Sequence, residues 1–478
     1  MSCASELAIE ATPSPDNHIR HDEGMRSSIG RRAAVLAAVV TVSLATACGA
    51  TASPSNPPSG PAPNAAAAAP GQLQPATLIV PDALKGEFDP HQVLIPPGWS
   101  MSVWAAVPDA RLAAWTPDGA LLVSRPGEGE VVRLTRGGDG TAASTVLLSG
   151  LTQPHGLAFD GSTLYVAESN RIQAYTYAEG AATGPRLVLD GLPDSKSNLL
   201  GGQYAHALKS VAVGPDHALY FSIGSSDNIS AEDRDAKPER ASIMRIPPGG
   251  GPPEVFARGV RNGTGLAVAP DGAVWTAVNN RDNIEYPFDA PFGDARESSQ
   301  GEVIVEYVND HPAEELAKLT PGRDLGWPYC NPDPDVRPGL AGTAFEYTNP
   351  PFVNDIETNP GGVKLNCAGL PRIEQSLGAH SAPLGMSFTA GLPAPYDQGA
   401  LVGVHGSWNR KPPRAPEVSY FPLANGTLGP QRTLVGGFQD ESGDRWGRPV
   451  AAVVGPDGAV YITDDDADAV YRLAPPGH

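Results

Sequence analysis

One short pattern recurs along this chain and narrows its possible folds more than any other feature. Residues 265–278 read Gly265-Leu266-Ala267-Val268-Ala269, then Pro270-Asp271-Gly272, then Ala273-Val274-Trp275-Thr276-Ala277-Val278. A small apolar run, a turn triplet and a second apolar run predict a β-hairpin. The pattern stands again at 115–123, 156–166, 211–221 and 451–462, and a degenerate copy with a longer turn occupies 385–404. Six hairpins at intervals of about 40–60 residues, with one wider gap, predict radial repetition of four-stranded blades. The expected fold is all-β, a six-bladed β-propeller over residues 77–478. With Gly 54 and Pro 50, the composition favours many short strands over long helices. The wide gap is expected to hold a loop insertion around 283–380, rich in Pro, Asp, Gly and Asn, or else another blade. Two packed β-sandwiches are the runner-up, but they would not by themselves place one turn sequence once in every unit.

Ahead of the repeats, residues 1–48 read as a leader. Arg31-Arg32 precede an apolar run from Ala33 to Ala47, the pattern of a secretory signal peptide and too short for a membrane span. Ala45-Thr46-Ala47 before Cys48 resemble a bacterial lipoprotein cleavage box, with Leu44 one place ahead of the usual Leu. Lipidation of Cys48 is therefore expected, giving an exported periplasmic or cell-surface lipoprotein; ordinary secretory cleavage is the alternative. Met25 is an alternative start. Residues 49–76 are dominated by Ala, Pro, Ser, Gly and Asn, cannot bury a core, and read as a linker. With Cys3 in the leader and Cys48 lipidated, Cys330 and Cys367 remain as an even pair in an oxidising compartment, and a disulfide is expected. Their wide separation, without a CxxC or nearby His spacing, argues against a zinc site.

Antiparallel pairing carries the residues before each first strand and after each second strand to the end opposite the turns. There the chain collects Lys209, Arg261, Arg281, Arg410, Lys411, Arg445 and Arg448, although it has 33 basic and 53 acidic residues. A net charge of −20 argues against nucleic acid. A basic rim within an acidic chain suits a small polyanion instead. Each residue has a plainer reading: a loop His is commonly solvated, Asp464-Asp465-Asp466 suits a turn, and Arg261 could bridge two blades. Convergence of several repeats on one rim favours a ligand site.

Five pieces of sequence then fall in a familiar order. His206 stands shortly before Gly214-Pro215-Asp216, and Arg261-Asn262 lead into Gly265-Leu266-Ala267. Gly326-Trp327-Pro328-Tyr329-Cys330, Gly406-Ser407-Trp408-Asn409-Arg410 and Gly447-Arg448-Pro449-Val450 follow. From about Leu94 to Leu473 the chain thereby resembles the soluble aldose and sorbosone dehydrogenases that use pyrroloquinoline quinone (PQQ), six-bladed quinoprotein propellers with calcium. The resemblance implies that His206 is the general base and that Arg261 stabilises charge at the reacting quinone carbonyl. It implies cofactor contacts from Asn262, Lys209, Arg410 and Arg448, and calcium ligation by the backbone of Asn280 and Arg281. The implied activity is oxidation of an aldose, or of a sugar aldehyde such as sorbosone, by hydride transfer to PQQ. The chain contains no CxxCH haem motif, so the electron acceptor is expected to be separate. Two alternatives are a calcium-dependent lactonase and a non-enzymatic ligand-binding propeller.

Overall fold

Each recurring hairpin forms the first two strands of a sheet. In the computed structural model, which describes residues 72–194, 204 and 206–477, Gly265–Val268 pairs antiparallel with Val274–Ala277, and Gly272 takes the positive φ of 82° that its turn requires. In the hairpin at 211–221 the corresponding residue is His217, which adopts a φ of 65° and keeps the same turn.

Among the described residues, six sheets of four or five strands follow one another in chain order. Blade I begins with Ala113–Trp115 and Leu121–Arg125, blade II with Gly156–Asp160 and Thr163–Ala167, and blade III with Val211–Val213 and Leu219–Ile223. Blade IV begins with Gly265–Val268 and Val274–Ala277, blade V with Pro383–Phe388 and Gly399–Val404, and blade VI with Pro449–Val454 and Val460–Asp464. Blade VI is completed from the far end of the body: Ser100–Ala106 pairs antiparallel with Ala469–Ala474 as its outer strand, which closes the ring. The architecture is the expected six-bladed propeller.

Apolar clusters lie between neighbouring blades. Leu219, Phe221 and Val211 of blade III meet Ala167 and Ile172 of blade II, and Trp275 of blade IV packs with Val402 and Phe421 of blade V. Trp275 is fully buried, so its truncation is expected to cost about 3–5 kcal/mol. First strands run closest to the axis, where space is least. A Cβ on Gly265 would lie 2.7 Å from the Cβ of Ala277 and 3.1 Å from that of Met386 on blade V, hence the small residues in these runs.

The wide gap is not a seventh blade. Glu314–Leu319 and Gln375–Leu377 are the third and fourth strands of blade IV, so the extra sequence divides into two stretches, 278–313 and 320–374. The second adds Arg323–Asp324 as a parallel edge to blade III and contains the Cys330–Cys367 disulfide. The leader, Cys48 and residues 49–71 lie outside the described residues. Gln74–Thr77, at the end of the expected linker, forms a strand against Gln92–Ile95. Among the described residues no helix is long and apolar enough to cross a membrane.

Candidate functional site

The residue or two leading into each first strand differ from blade to blade, and they meet at the end of the ring opposite the turns. Arg111 leads into blade I, His206 lies ahead of blade III, Arg261-Asn262 lead into blade IV, His380 into blade V and Arg448 into blade VI. All of them line one cavity of about 380 Å³. Asp282, Glu314, His405 and Trp408 line it as well.

His206 is held in one tautomer. Its Nδ1 lies 3.0 Å from the carbonyl oxygen of Ser225 and 2.9 Å from the Ser225 hydroxyl. The carbonyl can only accept, and the hydroxyl already donates to the Asp227 carbonyl at 2.7 Å. Nδ1 therefore carries the proton, and Nε2 is left with a free lone pair. Burial, reinforced by the nearby positive charge of Arg261, lowers the His206 pKa to about 3, which keeps the ring neutral. The close approach depends on Gly224: a Cβ there would lie 2.6 Å from the Cβ of His206 and 3.0 Å from Oδ1 of Asn262.

Two guanidinium groups face the cavity without a carboxylate partner among the described residues. Arg261 donates to the carbonyls of Asn228 (3.0 Å), Asn279 (3.0 Å) and Asn280 (2.7 Å) and to Oδ1 of Asn228 (3.0 Å). Four of its five N–H groups are thereby held, which fixes the plane and leaves one donor. Burial lowers its pKa to about 10, so it remains charged. Arg448 donates through Nε to the His405 carbonyl at 3.0 Å. Among the described residues neither arginine forms an ion pair. Arg111, by contrast, pairs with Asp465 at 2.6 Å, and Asp465 also accepts from Nε2 of His405 at 2.7 Å. Glu314 is buried with Oε2 lacking a hydrogen-bond partner, and burial together with Asp282 raises its pKa well above the ordinary value.

Of the residues anticipated from sequence, His206, Arg261, Asn262 and Arg448 converge on this cavity. Lys209 does not. Its fully buried ammonium donates to the carbonyls of Pro193 (2.7 Å) and Ala207 and sits 4.9 Å from the Tyr204 ring centre, so it anchors the loop and is not placed as a cofactor contact. Arg410 is drawn away by Asp310, with which it pairs at 3.0 Å, and by the Asn309 carbonyl. The expected calcium ligands are the backbone carbonyls of Asn280 and Arg281. The Asn280 carbonyl accepts from Arg261 at 2.7 Å, which leaves it one lone pair, and the Arg281 side chain is bound to Asp355 (2.6 Å) and Glu357 (3.0 Å). Sequence reasoning left out Arg111 and Glu314. Arg111 was within reach, because it precedes its hairpin much as Arg261 precedes its own; Glu314 opens a third strand, outside the repeated unit.

The comparisons agree with this architecture. A curated protein of Borreliella burgdorferi described only as uncharacterized is 25% identical over 287 residues, 59% of this chain and 62% of that protein. The pyrroloquinoline quinone-dependent pyranose dehydrogenase of Coprinopsis cinerea is 23% identical over 400 residues, 74% of this chain and 51% of that protein. The chain thus spans half to just under two thirds of the curated relatives it matches. Among solved structures, the holo form of the PQQ domain of the Coprinopsis cinerea enzyme matches with a TM-score of 0.65 at 20% identity, covering 80% of this chain and 97% of that one. The calcium structure of a Trichoderma reesei protein of carbohydrate-active enzyme family AA12 matches with a TM-score of 0.63 at 20% identity, covering 80% and 96%. A TrAA12-like family model matches residues 93–475, and the chain belongs to that TrAA12-like family.

Proposed function

We propose that this chain is a PQQ-dependent sugar dehydrogenase that oxidises an aldose, a pyranose in the first instance, and passes the electrons to a separate acceptor. The observation that carries the reading is His206, a partly buried imidazole whose Nδ1 is tied to Ser225, leaving Nε2 as the lone-pair nitrogen, beside a cavity lined by the guanidiniums of Arg261 and Arg448. PQQ is a planar tricarboxylate, and it fits these residues: Arg448 and the remaining donor of Arg261 are cations without carboxylate partners, and Asn262 adds an amide. When bound, the quinone supplies a two-electron acceptor for hydride from the sugar carbon. Nε2 of His206 takes the proton of the hydroxyl on that carbon, and Arg261, fixed by four hydrogen bonds, stabilises negative charge developing beside it. Glu314 also lines the cavity, where burial and Asp282 raise its pKa well above the ordinary carboxylate value. Trp408, 76% exposed at the rim, offers an aromatic face to the C–H face of a sugar ring.

Calcium held by the Asn280 carbonyl would stand beside the Arg261 guanidinium, which already donates to that oxygen. A sugar aldehyde such as sorbosone would need a hydrated form to present the same hydroxyl, so a hydroxyl-bearing ring carbon is the simpler substrate. Calcium-dependent lactonase chemistry would be served by carboxylates and amides around a metal; this cavity has Asp282, Glu314, Asn262 and Asn279, but sets the guanidiniums of Arg261 and Arg448 among them. Export with lipid attachment at Cys48 is proposed on the signal pattern, and the Cys330–Cys367 disulfide suits an oxidising compartment. Mass spectrometry of the native N-terminal peptide tests it: an unmodified Cys48 in the mature protein removes the anchor.

The test of function is calorimetric and spectroscopic titration of the purified protein with PQQ, with and without calcium, followed by turnover of pyranoses with an artificial acceptor. One PQQ per chain is expected, with affinity weakened about tenfold or more by Arg448→Ala. No binding at high micromolar PQQ would overturn the reading.

A further inference from the structure

The added sequence of blade IV holds a second polar centre, built from residues that do not line the cavity. His311, Asp333 and Asp335 are 4%, 1% and 8% exposed, and one donor atom from each lies within 4.8 Å of the others. Nδ1 of His311 donates to the Tyr307 carbonyl at 2.8 Å, which turns Nε2 toward the carboxylates. Nε2 is 3.0 Å from Oδ1 of Asp335 and 3.5 Å from Oδ1 of Asp333. Each carboxylate is steadied by a backbone N–H: Oδ2 of Asp335 accepts from Gly339 at 3.1 Å, and Oδ1 of Asp333 from Asp335 at 3.0 Å.

Two polar atoms here are left over. Oδ2 of Asp333 and the hydroxyl of Tyr307, whose ring stacks on His311 at 3.9 Å, are buried without a hydrogen-bond partner. A buried carboxylate oxygen in that condition calls for a missing partner. We propose that His311, Asp333 and Asp335 form a binding site for a borderline divalent transition-metal ion of the zinc type, with Nε2 and a carboxylate oxygen from each aspartate as ligands.

Donors about 2.0–2.2 Å from a common ion at near-tetrahedral angles stand roughly 3.3 Å apart, and the two separations from Nε2 bracket that value. One imidazole among oxygens favours such an ion over calcium or magnesium, which take oxygen ligands. The Tyr307 carbonyl supplies the outer hydrogen bond that orients a metal-binding histidine. The ion would tie the segment after Cys330–Pro332 to the short helix Val305–Val308. That helix in turn holds a cavity wall, since the Val308 carbonyl accepts from Nε2 of His380 at 2.6 Å. The proposal does not depend on PQQ, and its test does not use activity.

Metal content of the full mature chain, expressed in zinc-supplemented medium, is measured by inductively coupled plasma mass spectrometry. The wild type is compared with Asp333→Asn and His311→Gln. Refolding with cobalt(II) provides a spectroscopic readout on the unaltered protein. About one zinc per chain is expected, falling about tenfold or more in both variants, with visible cobalt absorption in the wild type. A metal-free wild type that also lacks the cobalt spectrum overturns the proposal, leaving His311 bridged to the aspartates by protons alone. Equal zinc content in wild type and folded variants overturns it too, by placing the ion elsewhere. Should one variant fail to fold, the other and the cobalt spectrum still decide.

Discussion

The two ends of the ring use the same types of charged residue in opposite ways. On the turn end, Asp118, Asp216, Asp271 and Asp457 pair with Arg133, Arg245, Lys318 and Arg472 at 3.0, 3.0, 3.3 and 2.8 Å. Every one of those cations lies on the third strand of the same blade, directly across from the second strand, so the pairing is a by-product of sheet register. Three of these aspartates also accept a backbone N–H within their own turn. At the cavity end, Arg261 and Arg448 have no carboxylate partner among the described residues, burial and Asp282 raise the Glu314 pKa, and the connections differ from blade to blade. Paired charges repeat and shape the blade; unpaired ones are irregular and available to a ligand. A site that holds unpaired charge out of water gives up stability for binding.

His206→Asn should break the cavity end most severely. We expect kcat to fall about 10²–10⁴-fold while PQQ is still bound, because the ring's basic nitrogen is lost and the cationic contacts stay. Steady-state kinetics beside a PQQ titration checks this, and an unchanged rate would remove His206 from the reaction. Run across pH, the same assay sharpens the point. Proton abstraction needs the neutral ring, and burial with Arg261 lowers its pKa from 6.5 to about 3. Activity should therefore be lost only as pH falls far below the usual histidine range, with kcat/KM level down to about pH 5. An acid limb near 6.5 would mean that His206 is solvated.

The smallest effect is expected at the turn end. Asp271→Asn removes a half-exposed ion pair with Lys318, worth about 0.2–1 kcal/mol after solvent screening. Thermal melting should show a shift of a few degrees at most, and kcat should not move. A large loss of turnover in this variant would defeat the comparison between the two ends.

Much of the fold was legible because the turn chemistry is local. Pro270-Asp271-Gly272 and its copies announce a hairpin without help from the rest of the chain, and six of them imply a ring. His206, Arg261, Asn262 and Arg448 were legible for a related reason: each stands near a hairpin whose direction was already known. Lys209 and Arg410 looked no different in sequence. What separates them from Arg448 is the neighbourhood: carbonyls of Pro193 and Ala207 around one, Asp310 beside the other. Glu314, three residues after His311, carried no signal at all.

The sequence by itself determined the repeated hairpin, the number of blades and the end of the ring at which irregular residues gather, since these follow from turn geometry and strand period. Only the tertiary structure decided which charges are free. That depends on atoms brought together from distant segments: Asp465 with Arg111, Asp355 with Arg281, the Asn280 carbonyl with Arg261. Pairing energies act over a few ångströms of space, and separation along the chain does not record them.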